Sequence, residues 1–274
     1  MPQPSLTNPL GSPFIELQSV DSTNNYAREQ IHAACLPDRQ GLAQHGVAFF
    51  AHEQIAGKGQ RGKAWASEKG ANIILSVVIK PKPLLLTQQF QLIACTAVAV
   101  HKFFVKYSDE GAKIKWPNDL YWQDRKAGGV LIENIIGKEQ LAVSSGEPEP
   151  AGWKWSIVGI GININQTIFP ADLPNPVSLK QITGQHFNAV VLAKELCAVL
   201  NEKFTELINN GFENIYEQYL LHLYKRNAIV KLKKDSRVFE ATIKTVSPAG
   251  KLIVQHSMEE DPIAIGFEEI EWVL

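Results

Sequence analysis

Two runs, "GVAFFAHE" at residues 46–53 and "NIILSVVIK" at residues 72–80, limit the fold more than anything else in the chain. The first is apolar without alternation over the length of a strand, the pattern of a strand buried on both faces. The second is rich in β-branched residues and reads as another strand. Between them stands "EQIAGKGQRGKAWAS", residues 53–67, with three glycines and three cations in the seven residues 57–63. No packed helix or strand accommodates that composition, so the segment reads as a loop between two strands.

The flanking periodicities complete an α+β pattern. Residues 1–13 are rich in Pro, Asn and Ser and read as a flexible lead-in. "FIELQSV" (14–20) is a strand, and Asp21 or Ser22 can cap the helix that follows. "TQQFQLIACTAVAVHKFFVKY" (87–107) is a long helix, apolar around most of its circumference and hence largely buried. Residues 113–134 read as two strands joined near Gln123–Arg125, residues 146–154 as a polar loop, and residues 155–165 as a further strand. Leu192, Leu196, Val199, Leu200, Phe204, Leu207 and Ile208 recur at helical spacing, predicting an amphipathic helix over about 188–209, with another over 212–226. From Ala228 to Leu274 only short strands remain, which predicts a small, separate β-barrel. The expected organisation is a flexible segment 1–13, a mixed central sheet with packed helices over 14–226, and the barrel over 227–274.

Bulk charge narrows the function. With 27 basic against 28 acidic residues the net charge is −1, so no global field draws the chain to nucleic acid or to a membrane surface. Cys35, Cys95 and Cys197 are far apart and lack CxxC spacing, which argues for reduced thiols rather than a disulfide framework or a zinc site. The N-terminus has no basic region followed by an apolar run, and no apolar stretch reaches membrane-span length. The expectation is a soluble cytoplasmic protein.

The motifs carry more. Glycines 57, 59 and 62 let backbone N–H groups turn inward as an anion-binding nest, and Lys58, Arg61 and Lys63 add full charges. The loop therefore suits a phosphate-bearing ligand, although it matches neither a Walker A loop nor GxGxxG; a mobile basic surface loop is the plainer reading. Trp65 can stack on a base or simply pack. In "KWPND" (115–119), Pro117 holds the preceding residue extended and directs Asn118 and Asp119, which can bind Mg²⁺ or form an ordinary Asn-Asp turn. Lys126, in "RKAGGVLIEN", needs an anionic partner if it turns inward, and otherwise sits at a solvent-facing edge. "GIGIN" (159–163) admits a ligand, or a second backbone, against its glycines. "DSTN" (21–24) offers neutral polar groups for a neutral head group, or a helix cap.

Taken in order, "DSTN", "EQ…GKGQRGKAW", "KWPND", "RKAGGVLIE" and "GIGIN" resemble the biotin protein ligases over residues 14–165, and the β-rich tail is similar to that family's SH3-like C-terminal domain. The resemblance implies a catalytic fold like that of class II synthetases. It also implies a two-step reaction: biotin and MgATP give biotinyl-5′-adenylate and pyrophosphate, and a lysine of a biotin carboxyl carrier domain of a biotin-dependent carboxylase then releases AMP. It implies Lys126 and Arg61 as catalytic residues. Ser22, Thr23, Asn24, Gln54, Lys58, Gly59, Gln60 and Lys126 would surround biotin. Gly57, Arg61, Gly62, Lys63, Trp65, Lys115, Asn118, Asp119 and Asn163 would border the nucleotide, with Asp119 as the candidate Mg²⁺ ligand, directly or through water. Lys58 and Gln60 stand where family members often carry arginine, which leaves the loop one charge fewer and weaker in bidentate phosphate contacts.

Only 13 residues precede the first strand, too few for the winged helix of the bifunctional repressor-ligases, so no operator binding is expected. A lipoate or octanoate ligase on a related fold is the nearest rival, and a catalytically dead binding module or a nucleic-acid adaptor is the rival from another class. Sheet edges leave room for a homodimer or for an added carrier strand.

Overall fold

The computed structural model describes residues 8–34, 41–137, 152–256 and 261–273. Its first elements are β1 (Phe14–Leu17), α1 (Thr23–Ala34), β2 (Ala48–Ala51), β3 (Ile73–Ile79) and α2 (Gln89–Val105). Then come β4 (Ala112–Lys115), β5 (Asp119–Trp122), β6 (Arg125–Gly137) and β7 (Gly152–Ile162). Three helices follow: α3 (Leu179–Thr183), α4 (Ala189–Asn210) and α5 (Glu213–Leu221). The last strands are β8 (Ile229–Lys234), β9 (Arg237–Val246), β10 (Leu252–His256), β11 (Ile263–Ile265) and β12 (Glu271–Val273).

The first seven strands form one mixed sheet in the order β1-β2-β3-β7-β6-β5-β4, with β1 and β2 parallel and the remaining pairs antiparallel. The unbroken apolar runs follow from cover on both sides. Phe50, Leu75, Val77 and Ile79 face a core shared with α2 and α4, while Phe49 and Val78 pack on the other face with Ala27 and Ile31 of α1. Every residue of β2 and β3 is buried, as the lack of alternation requires. Cys95 and Cys197 are free and buried, and burial pushes the Cys197 thiol up to about 12, so both behave as small apolar side chains; Cys35 lies outside the described residues.

Several boundaries differ from the sequence reading. Of the expected flexible segment 1–13, residues 1–7 lie outside the described residues, and residues 8–13 are tied down: Leu10 is buried and its N–H donates to Asn201 Oδ1 at 2.8 Å, while Gly11 N–H donates to the Gly46 carbonyl at 2.7 Å. Residues 113–134 hold parts of three strands, because the chain turns at Trp116–Asn118 as well as at Gln123–Asp124. β7 already begins at Gly152; the rest of the expected 146–154 loop lies outside the described residues. α5 stops at Leu221, after which Ile114 N–H donates to the His222 carbonyl and Tyr224 N–H to the Ile114 carbonyl, so β4 claims the chain instead of a longer helix. α3 was not anticipated; it is one short helix opened by a Ser178–Gln181 capping box and closed by Gly184 at φ 74°.

The last five strands form an antiparallel sheet in the order β11-β10-β9-β8-β12. It is joined to the larger domain by a continuous apolar core that includes Leu232, Ile243, Val254 and Ile265. Trp116 stacks on Phe267 with ring centroids 5.3 Å apart, and its Nε1–H donates to the Gly250 carbonyl at 2.9 Å. This contact brings residues 267–272 to the mouth of the larger sheet.

Candidate active site

A cavity of about 430 Å³ opens over β3, β5, β6 and β7, beneath the glycine-rich loop and beside Phe267, Ile270, Glu271 and Trp272. Small residues on β7 make the room. A Cβ on Gly159 would lie 2.4 Å from Asn24 Oδ1, and one on Gly161 would lie 2.6 Å from the Trp65 ring. The two glycines are two apart on one strand and so share a face. The expected opening at "GIGIN" is therefore filled by Asn24 and Trp65, the side chains that would meet a ligand there.

One part of the wall is polar and uncharged. Ser22, Thr23 and Asn24 are nearly fully buried at the start of α1, where the Ser22 carbonyl accepts the Tyr26 N–H at 2.9 Å. Gln54 Oε1 accepts the Thr23 N–H at 2.9 Å and the Thr23 hydroxyl at 3.3 Å. Ser76 Oγ lies 2.7 Å from Thr23 Oγ1 and 2.6 Å from Asn24 Oδ1. Asp21, by contrast, faces outward, and the Asn25 amide donating to its carboxylate holds it below the usual range.

The other part is cationic and aromatic. Lys126 Nζ donates to Asp119 Oδ2 at 2.7 Å and stands 6.0 Å from the Trp65 ring centroid. Its inward turn depends on a bulge: Leu120 pairs with Gly128 but Tyr121 pairs with Lys126, so one extra residue re-aims the lysine. Lys115 is buried at 7% exposure, donates to the Tyr121 hydroxyl at 3.1 Å, and lies 4.6 Å from the Tyr121 ring and 5.0 Å from the Trp272 ring. Burial lowers its ammonium to about 8, with Lys126 and Lys63 lowering it further and Asp119 opposing them. Asn163 borders the same space, donating to the carbonyls of Val177 at 3.2 Å and Lys126 at 3.4 Å.

The loop over the cavity is a tight hairpin pinned at both sides. Gly59 N–H donates to the Lys63 carbonyl at 2.7 Å, and the turn is made by Arg61 and Gly62 at φ 55° and 71°. Lys58 Nζ donates to Asn25 Oδ1 at 2.5 Å. Arg61 commits its guanidinium to the Phe267 and Ile270 carbonyls, so it fastens the loop to the C-terminal sheet.

Of the residues expected at the site, Ser22, Thr23, Asn24 and Gln54 line the cavity, as do Lys58, Gly59, Gln60, Arg61, Lys63 and Trp65. Lys115, Asp119, Lys126 and Asn163 do so as well. Gly57, Gly62 and Asn118 do not. Gly57 packs under Trp65 and Gln54, where a Cβ would lie 2.2 Å from the Trp65 carbonyl oxygen. Asn118 is buried at 3% exposure and turned toward β6, its amide donating to the Val130 carbonyl. Trp272, Glu271, Phe267 and Ile270 were missed, since nothing local in "EIEWVL" marks a tryptophan as facing another domain's cavity. Among the described residues no group of three or more His, Cys, Asp or Glu gathers to hold a metal. The Asp119 carboxylate, already paired with Lys126, fits at most a magnesium ion that arrives with a polyphosphate and keeps most of its water.

Residues 17–146 match the family model described as the Biotin/lipoate A/B protein ligase family. The chain is 30% identical to the bifunctional ligase/repressor BirA of Bacillus subtilis over 188 residues, which cover 65% of this chain and 53% of that one. It is 26% identical to the biotin–[acetyl-CoA-carboxylase] ligase of Paracoccus denitrificans over 247 residues, covering 87% and 92%. The chain spans 62% and 53% of the lengths of the two Bacillus relatives it matches. A solved biotin protein ligase from Aquifex aeolicus in complex with biotin and ATP shares the fold, with a TM-score of 0.73, 24% identity, and coverage of 95% of this chain and 98% of that one.

Proposed function

Through residues 17–146 the chain belongs to the biotin/lipoate A/B protein ligase family, and from that premise we propose that it activates biotin with ATP and transfers it to a lysine of a carrier domain. The observation that carries this reading is one cavity holding two kinds of wall. The Thr23–Asn24–Gln54 side offers uncharged donors and acceptors, suited to a ureido ring, and the Lys115–Lys126–Lys63 side offers positive charge, suited to a carboxylate and phosphates.

In the first step a biotin carboxylate oxygen bonds to the α-phosphorus of MgATP and the bond to pyrophosphate breaks. Two anions must approach each other, and the Lys126 ammonium between them offsets that repulsion and stabilises charge on the phosphoryl oxygens. Asp119 holds Lys126 in place at 2.7 Å. In the second step a neutral carrier lysine amine attacks the acyl carbon, the C–N bond forms, AMP leaves with the bonding electrons, and the amine proton passes to solvent. The loop held by Lys58 and Arg61 shields the mixed anhydride from water between the steps.

Lipoate is the nearest alternative substrate. Its dithiolane ring lacks hydrogen-bonding groups, so it would leave the polar wall unpaired, which favours biotin. The deciding experiment is pyrophosphate exchange into ATP with biotin, lipoate, octanoate or no acid. Exchange with biotin alone is expected; exchange with lipoate or octanoate alone would replace the substrate, and none with any acid would overturn the activity.

Lys115 gives the site a pH signature. Below about 8 it is charged and attracts the nucleotide; as pH rises through about 8 it loses its proton and that attraction goes. ATP affinity is therefore expected to fall between pH 7 and 9, and Lys115→Met to flatten the step; an unchanged slope in the variant would remove Lys115 from nucleotide binding. The linked stability runs the opposite way. The unfolded lysine titrates near its ordinary 10.5, so between about 8 and 10.5 the unfolded chain holds more protons, and stability rises with pH.

A further inference from the structure

We propose that Glu133, which does not line the cavity, is a positioning residue that sets which end of the Asn24 amide faces the ligand, and thereby selects a head group that donates an N–H. This inference rests on the biotin reading above. Asn24 can present either its oxygen or its NH₂ to the cavity, and the choice decides whether a donor or an acceptor is recognised there. Ser76 cannot make that choice, because a hydroxyl accepts as readily as it donates. Glu133 can. Its carboxylate only accepts, and Oε2 takes the Asn24 Nδ2–H at 2.7 Å. Arg28 Nη2 donates to the other oxygen at 2.7 Å, so the carboxylate is held from both sides. The Leu131 carbonyl supports the same sense more weakly, at 3.4 Å. With Nδ2 turned outward, Oδ1 lies over Gly159 inside the cavity, taking one hydrogen bond, from Ser76, among the described residues and keeping a second lone pair for a ligand N–H.

Arg28 makes the idea testable. In Glu133→Gln the Arg28 guanidinium claims the single amide oxygen, which turns the new NH₂ toward Asn24 and reverses the Asn24 amide. An N–H would then face the ureido N–H. The expected result is a rise of about tenfold or more in the KM for biotin, with kcat for pyrophosphate exchange and the KM for ATP little changed. In the double variant Glu133→Gln with Arg28→Met, nothing competes for the Gln oxygen; Asn24 regains its original sense and the biotin KM returns toward the parent value. A KM unaltered by Glu133→Gln, or a double variant as impaired as the single, would overturn the proposal, since a merely structural role would not be rescued by a second substitution. Absence of biotin-dependent exchange in the parent protein would instead reject the biotin reading itself.

Discussion

Lys126→Ala is expected to slow biotin-dependent pyrophosphate exchange at least about a hundredfold, the scale of removing one donor aimed at transition-state charge. Two effects contribute. The reacting phosphorus loses its cation, and Asp119, paired with that cation at 2.7 Å, is left as an uncompensated carboxylate facing anionic substrates. The double variant Lys126→Ala with Asp119→Asn separates them, because it removes the stranded charge without restoring the lysine. Little recovery is expected. Full recovery would mean that Lys126 serves chiefly to neutralise Asp119, and near-parental exchange in the single variant would remove it from the chemistry. Unfolding midpoints of the variants, measured alongside, show whether lost activity reflects lost fold.

Gly159→Val should abolish most biotin binding. The new Cβ would lie 2.4 Å from Asn24 Oδ1 and 3.0 Å from its Cγ, so the side chain that forms the polar wall must move. Overpacking of this kind carries about 1–3 kcal/mol, or roughly a five- to 160-fold loss of affinity if it falls on the bound state. Gly152 on the same strand is the control, since a Cβ there meets nothing within 4 Å. Calorimetric titration with biotin is expected to distinguish Gly159→Val from Gly152→Ala clearly. Equal affinities would show that Asn24 is not part of the binding wall.

The parts legible from sequence are those whose physics is local. The unbroken apolar composition of "AFFA" and "IILSVVI" already required cover on both faces, and the glycine and cation content of residues 57–63 already required a loop. The helix at 188–209 was visible from its spacing and is found at Ala189–Asn210. The structure adds what local pattern does not carry wherever a distant segment bonds to the chain. Local pattern extends the helix through residues 222–224, but the His222 carbonyl and the Tyr224 N–H bond to Ile114, more than a hundred positions earlier in the chain. Asn118 sits in a motif suited to ligand contact, and its amide donates to the Val130 carbonyl, a partner the motif does not reveal. For residues 8–13, composition alone suggests a flexible lead-in and carries no record of Asn201 receiving the Leu10 N–H.

The site divides in the same way. Residue identities and order, from "DSTN" through "GIGIN", were enough to name the chemistry the chain resembles, because they are short motifs with fixed donor, acceptor and charge content. Their orientations were not. Whether Lys126 turned inward depended on a bulge between β5 and β6; the lowering of Lys115 to about 8 depended on burial beside Trp272 from the other sheet; and the sense of Asn24 depends on Glu133, 109 positions away. Composition by itself determined that this chain builds a covered sheet and a cationic, glycine-rich loop. Only the tertiary structure decided which way each polar group points, because hydrogen-bond sense and desolvation are properties of neighbours in space.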